Sequence, residues 1–368
     1  MNHRLLHSLL IGLVWLAGMT LWAASVQACG ERQSRAPHGV VVTVPLSRCE
    51  EEDMLLPGRR PALYAVGTAG GSYHPERAPA VLVHGLSGHP SDLADLAERL
   101  TGSGFQVYLL FFDDMGRRVR ENGAGLADAL VELSAHLGTG RDFKLIAHSA
   151  GGLLARHALN LLADSGKLSR LGTVDFYAID TPWHGYFGPS DRTLLGRLRM
   201  GIARPFLPDG IEDMRAESQL FIGDPQSPSA VLRAGLLRYQ LPSTVRVHLY
   251  FAQEGDEVHD YTEGLLSQLT ERVTAYYASH TSMRGSPQLH NFWLALVSSH
   301  SYFAFQDELR GLADRGRLSP SAVRSALLRY FPRLPGDHSG ILREQPDAKQ
   351  PTLLSSLLPM LASNISVR

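Results

Sequence analysis

Between Ala80 and Val83 the chain is apolar at every position, and it turns polar and glycine-rich at His84-Gly85. Mainly apolar stretches, interrupted by single polar residues such as Gln106, Lys144, Asp175, Arg246 and His248, recur at Phe105 to Phe112, Phe143 to Ala147, Val174 to Ile179 and Val245 to Phe251 and read as the strands that follow. An unbroken run as short as Ala80 to Val83 predicts a central strand buried on both faces. Between them the spacing changes to that of helices. Leu93, Leu96, Ala97 and Leu100 lie on one helical face, with Ser91 as the cap and Gly102 or Gly104 as the stop. Leu126, Leu130, Leu133 and Leu137 mark a second helix over Gly125 to Leu137, and Leu153 to Ala163 a third. Val40 to Val44 and Ala62 to Val66 predict two earlier strands, with a turn at Pro57-Gly58. Thr262 to Tyr277 reads as a helix, Phe292 to Val297 as a last strand ending at Ser298-Ser299-His300, and Tyr302 to Ala313 as the helix covering it. Strands separated by helices of this length imply right-handed crossovers and a mainly parallel sheet with helices on both faces.

The alternation stops from Trp183 to Leu241. This stretch is rich in Gly, Pro and Arg, has short helical fragments at Leu194–Met200 and Ile211–Phe221, and reads as a cap or lid inserted into the sheet. Trp183, Tyr186, Phe187, Phe206 and Phe221 would give it an apolar lining. Beyond Gly316 the pattern predicts a C-terminal extension over 314–368, with a helix at Ala322–Tyr330, a proline-rich loop and an apolar helix at Leu353–Leu361. The organised body therefore runs over 80–313, with the cap at about 183–241, after early strands and a linker over 29–79.

Composition changes this picture little. The chain has 368 residues, 44% hydrophobic and 19% charged, with a formal charge of -1. That is enough apolar material for a large core, and no basic stripe asks for nucleic acid. The N-terminus adds more. Arg4 precedes a stretch from Leu9 to Val26 that carries no charged residue, and Ser25-Val26-Gln27-Ala28 ends in small residues two apart. This predicts an export signal over 1–28, cleaved after Ala28 or kept as a membrane anchor. The two cysteines are Cys29 and Cys49. Either they pair in an oxidising compartment, or Cys29 is lipid-modified at a mature N-terminus.

The chemistry gathers at the predicted strand ends, where a parallel sheet places its ligands. Ser149 stands between the strand Phe143–Ala147 and a helix, followed by Ala150, Gly151 and Gly152. A serine on so sharp a strand-to-helix turn needs small neighbours and is exposed as a nucleophile. His84-Gly85-Leu86-Ser87-Gly88 follows an earlier strand. The backbone N–H groups of Leu86 and Ala150 would make an oxyanion hole, with Gly85 keeping the loop open and His84 supporting it. A carboxylate to orient the base is offered by Asp256, in Gly255-Asp256-Glu257-Val258 after the strand Val245–Phe251, with Asp180 as runner-up. His300 follows the predicted last strand, which gives the order Ser149, Asp256, His300 and makes it the expected base. His280 and His290 precede that strand, His148 adjoins the nucleophile, and His184 reads as structural or pocket-lining.

These motifs together, with Asp180-Thr181-Pro182-Trp183-His184-Gly185 and Glu212-Asp213-Met214-Arg215-Ala216-Glu217-Ser218, resemble the α/β-hydrolases of the bacterial lipase and esterase type over about Ala80 to Ala313. Ala147 stands where the common G-x-S-x-G pattern has its first glycine. The resemblance implies hydrolysis of an ester or lipid ester through an acyl-enzyme, without metal or cofactor. The same fold also hosts acyltransferases, thioesterases and non-catalytic interaction proteins. The apolar N-terminal segment adds an expected association with a membrane.

Overall fold

A computed structural model describes residues 41–42, 61–66, 73–86, 88, 90–113, 117–185, 213–215, 218–253, 257–279, 285–336 and 359. The signal segment, both cysteines, the fragment Leu194–Met200 and, apart from Pro359, the helix expected at Leu353–Leu361 lie outside them. Among the described residues no helix is long and apolar enough to cross a membrane.

Eight strands form one sheet in the order β1-β2-β4-β3-β5-β6-β7-β8. They are β1 (Val41–Val42), β2 (Ala62–Val66), β3 (Ala78–Val83), β4 (Phe105–Phe111), β5 (Phe143–His148), β6 (Val174–Ile179), β7 (Val245–Ala252) and β8 (Arg333–Leu334). Among the described residues only the pairing of β2 with β4 is antiparallel. The central strands β5 and β6 are buried at every position, as expected when helices cover both faces. Alternate residues serve the two faces. Val81, Val83, Leu145, Ala147, Phe176 and Ala178 enter one core; Ala80, Leu82, Ile146, Tyr177 and Ile179 enter the other.

The helices are α1 (Ala94–Gly102), α2 (Val119–Leu137), α3 (Ala150–Asp164), the short α4 (Gln219–Ile222) and α5 (Ala230–Ala234), and then α6 (Glu257–Ser279), α7 (Pro287–Val297), α8 (Tyr302–Asp314) and α9 (Pro320–Tyr330). α3 follows the nucleophile candidate and is buried along most of its length, Leu153, Leu154, Ala155, Ala158 and Leu159 among its core residues.

Two expectations fail in the C-terminal part. Phe292 to Val297 is the second half of α7, not a strand. Ser286 caps this helix by accepting a hydrogen bond from the Leu289 N–H at 3.2 Å, and Pro287 occupies its first turn. Both residues favour a helix start. The last strand lies instead at Arg333–Leu334, inside the stretch read as a C-terminal extension. It pairs parallel with β7 through Phe251↔Arg333 and Ala252↔Leu334. The sheet therefore reaches past both expected boundaries of the body, and α6 to α9 form a helical insertion between its last two strands.

Of the expected cap, residues 186–212 and 216–217 lie outside the described set. Where the chain is described again, Asp213 is buried and tied to the first turn of α2, accepting from the Arg120 backbone N–H at 3.1 Å and from its Nε at 3.3 Å.

Candidate active site

Ser149 sits at the end of β5 with φ 53 and ψ -132, and α3 begins at the next residue. Its N–H donates to the Ile179 carbonyl at 2.9 Å, and its carbonyl accepts from Gly152 at 2.9 Å. The strand ladder thus holds the serine up to its own backbone, and the helix turns away at once. Positive φ at a residue with a Cβ is strained, and such strain persists where surrounding packing enforces it.

Three glycines supply that packing. A Cβ on Gly151 would lie 2.3 Å from the His84 carbonyl oxygen, and one on Gly152 would lie 1.9 Å from Thr181 Oγ1. A Cβ on Gly85 would lie 2.6 Å from Ser149 Cβ and 3.1 Å from its Oγ. The loop after β3 therefore runs directly against the nucleophile candidate. It turns through a Gly88 N–H to Gly85 carbonyl bond of 3.2 Å. Leu86 on this loop is half-buried, and Ala150 is buried at the first position of α3. His84 is buried, with Nδ1 2.9 Å from the Gly85 carbonyl oxygen and its ring stacked on Phe112 at 4.2 Å. Ser149, Gly85, Leu86, His84, Ala150 and Gly151 thus share one rim of the sheet.

Asp180 lies at the end of the adjacent strand β6, buried, with φ 45. Among the described residues it and Ser149 are the non-glycine residues with positive φ. His184, a few residues on, is buried, with Nδ1 2.5 Å from the Gly185 carbonyl oxygen. Burial pulls its pKa down to about 4, against the smaller opposing effects of that carbonyl and of Asp180. It is a neutral imidazole at pH 7. Asp256 lies outside the described residues, three positions beyond Gln253.

His300 is not at this rim. Its backbone N–H donates to the Val247 carbonyl at 2.8 Å. Val247 stands opposite Phe176 of β6, which stands opposite Leu145 of β5, four positions before Ser149. At about 3.3 Å per residue this is about 13 Å along the strands, with two strand spacings of about 4.8 Å across them. The His300 ring lies 5.8 Å from the ring of His248, and His248 Nε2 is 3.4 Å from Asp175 Oδ1 at the amino end of β6. That end carries an ion cluster of its own. Burial disfavours ionisation of Asp175, but bonds from His248, Lys144 and Arg246 outweigh it and hold the carboxyl well below the usual range. Because α7 is a helix, the chain returns to the sheet at the wrong end for His300 to serve Ser149. The assignment of His300 as the base is therefore corrected.

The missed strand β8 does end at the rim of Ser149. The Gln253 N–H donates to the Leu334 carbonyl at 2.9 Å, so the chain leaves β7 and β8 side by side. The signal available for it was small: Arg333-Leu334 followed by a Pro335-Gly336 turn. Among the described residues no group of histidine, cysteine and carboxylate side chains could hold a metal ion.

A mainly parallel sheet in this strand order, with a strained serine between strand and helix at its carboxyl rim, is the arrangement of the α/β-hydrolase fold. Residues 79–202 match the model of the family described as "Putative serine esterase (DUF676)", a span that begins in β3 and contains the elbow. Among solved structures, the mature form of Bacillus licheniformis lipase BlEst2 is similar at 18% identity, over 78% of this chain and 94% of its own, with a TM-score of 0.38. For the propeptide form of that lipase the values are 19%, 55% and 40%, with a TM-score of 0.37. This chain thus spans less than half the length of that form. A Paleococcus ferrophilus monoacylglycerol lipase is similar at 21% identity over 53% of this chain and 79% of its own, with a TM-score of 0.32. Among curated proteins, none matches.

Proposed function

We propose that this protein is a serine-dependent carboxylic ester hydrolase working through an acyl-enzyme, with Ser149 as nucleophile, Asp256 as the orienting acid and His338 as the base. The observation that carries the reading is the strained Ser149 pressed against the Gly85 loop. A strained serine with two backbone N–H groups beside it is the equipment acyl transfer needs.

His338 takes the role first given to His300. It lies outside the described residues, four positions beyond Leu334. Its support is the pairing of β7 with β8: the loop carrying Asp256 and the loop carrying His338 start from neighbouring strand ends on the rim of Ser149. The chain order Ser149, Asp256, His338 keeps the order of this architecture.

In the reaction, the His338 imidazole takes the Ser149 hydroxyl proton as Oγ attacks the ester carbonyl carbon. The N–H groups of Leu86 and Ala150 hold the resulting oxyanion. The imidazolium gives its proton to the leaving alcohol as the C–O bond breaks. Water then attacks the acyl-enzyme by the same route, releasing the carboxylic acid and restoring the serine. Export through the segment 1–28 is proposed alongside, on Arg4, the uncharged Leu9 to Val26 and the small residues before Cys29.

The test is labelling with a fluorophosphonate together with hydrolysis of a p-nitrophenyl ester series. The wild type is expected to be labelled and active, and Ser149→Ala to lose both. Labelling at another residue, or undiminished hydrolysis by Ser149→Ala, would overturn the reading.

A further inference from the structure

Asp180 is buried, strained and one strand away from the nucleophile candidate, and the reaction above leaves it without a role. Its backbone shows what it does. Up to Ile179↔Tyr250, β6 and β7 pair in regular parallel register. The next rung starts normally, with the Asp180 N–H donating to the Tyr250 carbonyl at 2.8 Å. In a regular parallel ladder, the N–H two residues further along β7 would then donate back to the Asp180 carbonyl. That N–H belongs to Ala252, and it donates instead to the carboxylate Oδ1 of Asp180, at 3.1 Å in a buried setting. The φ of 45 has turned the main chain of Asp180 away toward Thr181, so the side-chain oxygen takes the place of the main-chain one.

We infer that Asp180 is a positioning residue whose carboxylate closes the last rung between β6 and β7 and so fixes where the acid-bearing loop leaves the sheet. Ala252 is held on one side by Asp180 and pairs on the other with Leu334 of β8. Gln253, which bonds Leu334, is the last described residue before the loop of Asp256. One side-chain bond thus sets the ends of both strands from which the acid and base loops start. Strain at Asp180 fits this role. The turn must leave β6 at once to clear the rim, and an ordinary residue there would leave the Ala252 N–H without an acceptor. Aspartate tolerates positive φ better than most residues and carries an acceptor at the right reach. The inference rests on the reading of Ser149, Asp256 and His338 for its effect on turnover, but not for the bond itself.

Two variants separate the acceptor from the backbone. Asp180→Asn keeps an oxygen acceptor and the tolerance for positive φ. Asp180→Gly keeps the backbone freedom and removes the acceptor. Each is compared with wild type, Ser149→Ala and Asp256→Asn for kcat and KM on a p-nitrophenyl ester, and for hydrogen exchange at the Ala252 amide. Asp180→Gly is expected to lose protection at Ala252 and to lower kcat by about tenfold with KM little changed, as for a misplaced catalytic group. Asp180→Asn is expected to keep the protection and to stay within about threefold of wild-type kcat. Wild-type kcat and protection in Asp180→Gly would overturn the inference. So would a loss of about 10⁴-fold in Asp180→Asn, the size expected when the orienting acid itself is neutralised, because Asp180 would then be that acid. Exchange at Ala252 needs no turnover. If Ser149→Ala stays active, or Asp256→Asn matches wild type, the functional reading fails on its own while the rung is still read directly.

Discussion

The two parts of the molecule that supply the rim are held in different ways. Around Ser149, β5 and β6 face each other over six register pairs from Phe143↔Val174 to His148↔Ile179, and every residue of both strands is buried. Backbone ladder and glycine contacts, such as Gly151 against the His84 carbonyl, leave the serine little freedom. At the other side, β8 has two residues and pairs with β7 at two positions. What secures it is side chains from the helical insertion. Glu263 of α6 binds Arg333 of β8 and, at 2.7 Å, Arg324 of α9. Phe331, just before β8, packs on Phe305 of α8 at 5.6 Å, and Phe251 of β7 packs on Phe292 of α7 at 5.7 Å. Ser149 is thus fixed by main chain, whereas the strand leading to the proposed base is fixed by packing of four helices. A site built this way can keep a rigid elbow while the insertion varies.

The sharpest way to break this comparison is to exchange the two histidines that compete for the base. His338→Ala is expected to lower kcat on a p-nitrophenyl ester by about 10⁶-fold, the size seen when the histidine of a triad is removed. His300→Ala is expected to stay within about threefold of wild type, because His300 is exposed and lies at the amino end of the sheet. The reverse result would return the base to the turn between α7 and α8 and make the insertion part of the chemistry.

How far the sequence carried this picture follows the same division. Strands β3 to β7 were readable because each is mainly apolar and stops at polar or glycine residues, as burial between helices demands, even though Lys144 and Asp175 are buried within them as an ion pair. The elbow was readable for a related reason: Ser149 followed by Ala150, Gly151 and Gly152 is a pattern that close packing demands. Phe292-Trp293-Leu294-Ala295-Leu296-Val297 is apolar too, but it is more than a full turn of a helix, with Phe292, Ala295 and Leu296 buried and Trp293, Leu294 and Val297 half-buried. Periodicity cannot separate a short buried strand from such a helix. Ser286-Pro287 upstream was the deciding signal, and it sits six residues ahead of Phe292. β8 was unreadable because two residues carry no period at all. The misplaced base followed from that one exchange of strand for helix.

A smaller effect would sharpen the contrast through pH. His157 on α3 is buried against Gly123 of α2, and burial, with a lesser contribution from Arg120, pulls its pKa down to about 4. The unfolded value is about 6.5. Between those values the unfolded chain binds more protons than the folded one, so the stabilisation is complete above pH 6.5 and is lost as the pH falls toward 4. For a shift of this size the loss is about 3 kcal/mol. Thermal melts from pH 7 to pH 4.5 are expected to fall in the wild type and to fall less steeply in His157→Gln. An unchanged slope in that variant would mean that the acid sensitivity does not arise at His157 in the elbow half.

The smallest effect probes the insertion alone. Ser286 stands where the chain enters α7, and its Oγ accepts from the Leu289 N–H. Removing such a cap costs about 1 kcal/mol, because a helix-end N–H loses its acceptor. Ser286→Ala is therefore expected to lower the melting temperature by about 1–2 °C, because the unfolding entropy of about 2.1 cal/mol/K per residue makes the shift per kcal/mol small in a long chain. It should leave fluorophosphonate labelling of Ser149 at the wild-type rate, since no main-chain rung of β5 or β6 depends on α7. Turnover is the finer readout. If the strand leading to the base is held mainly by helix packing, loosening α7 should lower kcat slightly, by less than about twofold, while the rate of labelling of Ser149 by a small reagent stays put. A labelling rate that fell together with kcat would mean that the elbow leans on the insertion after all, and that the two halves of the rim are one mechanical unit.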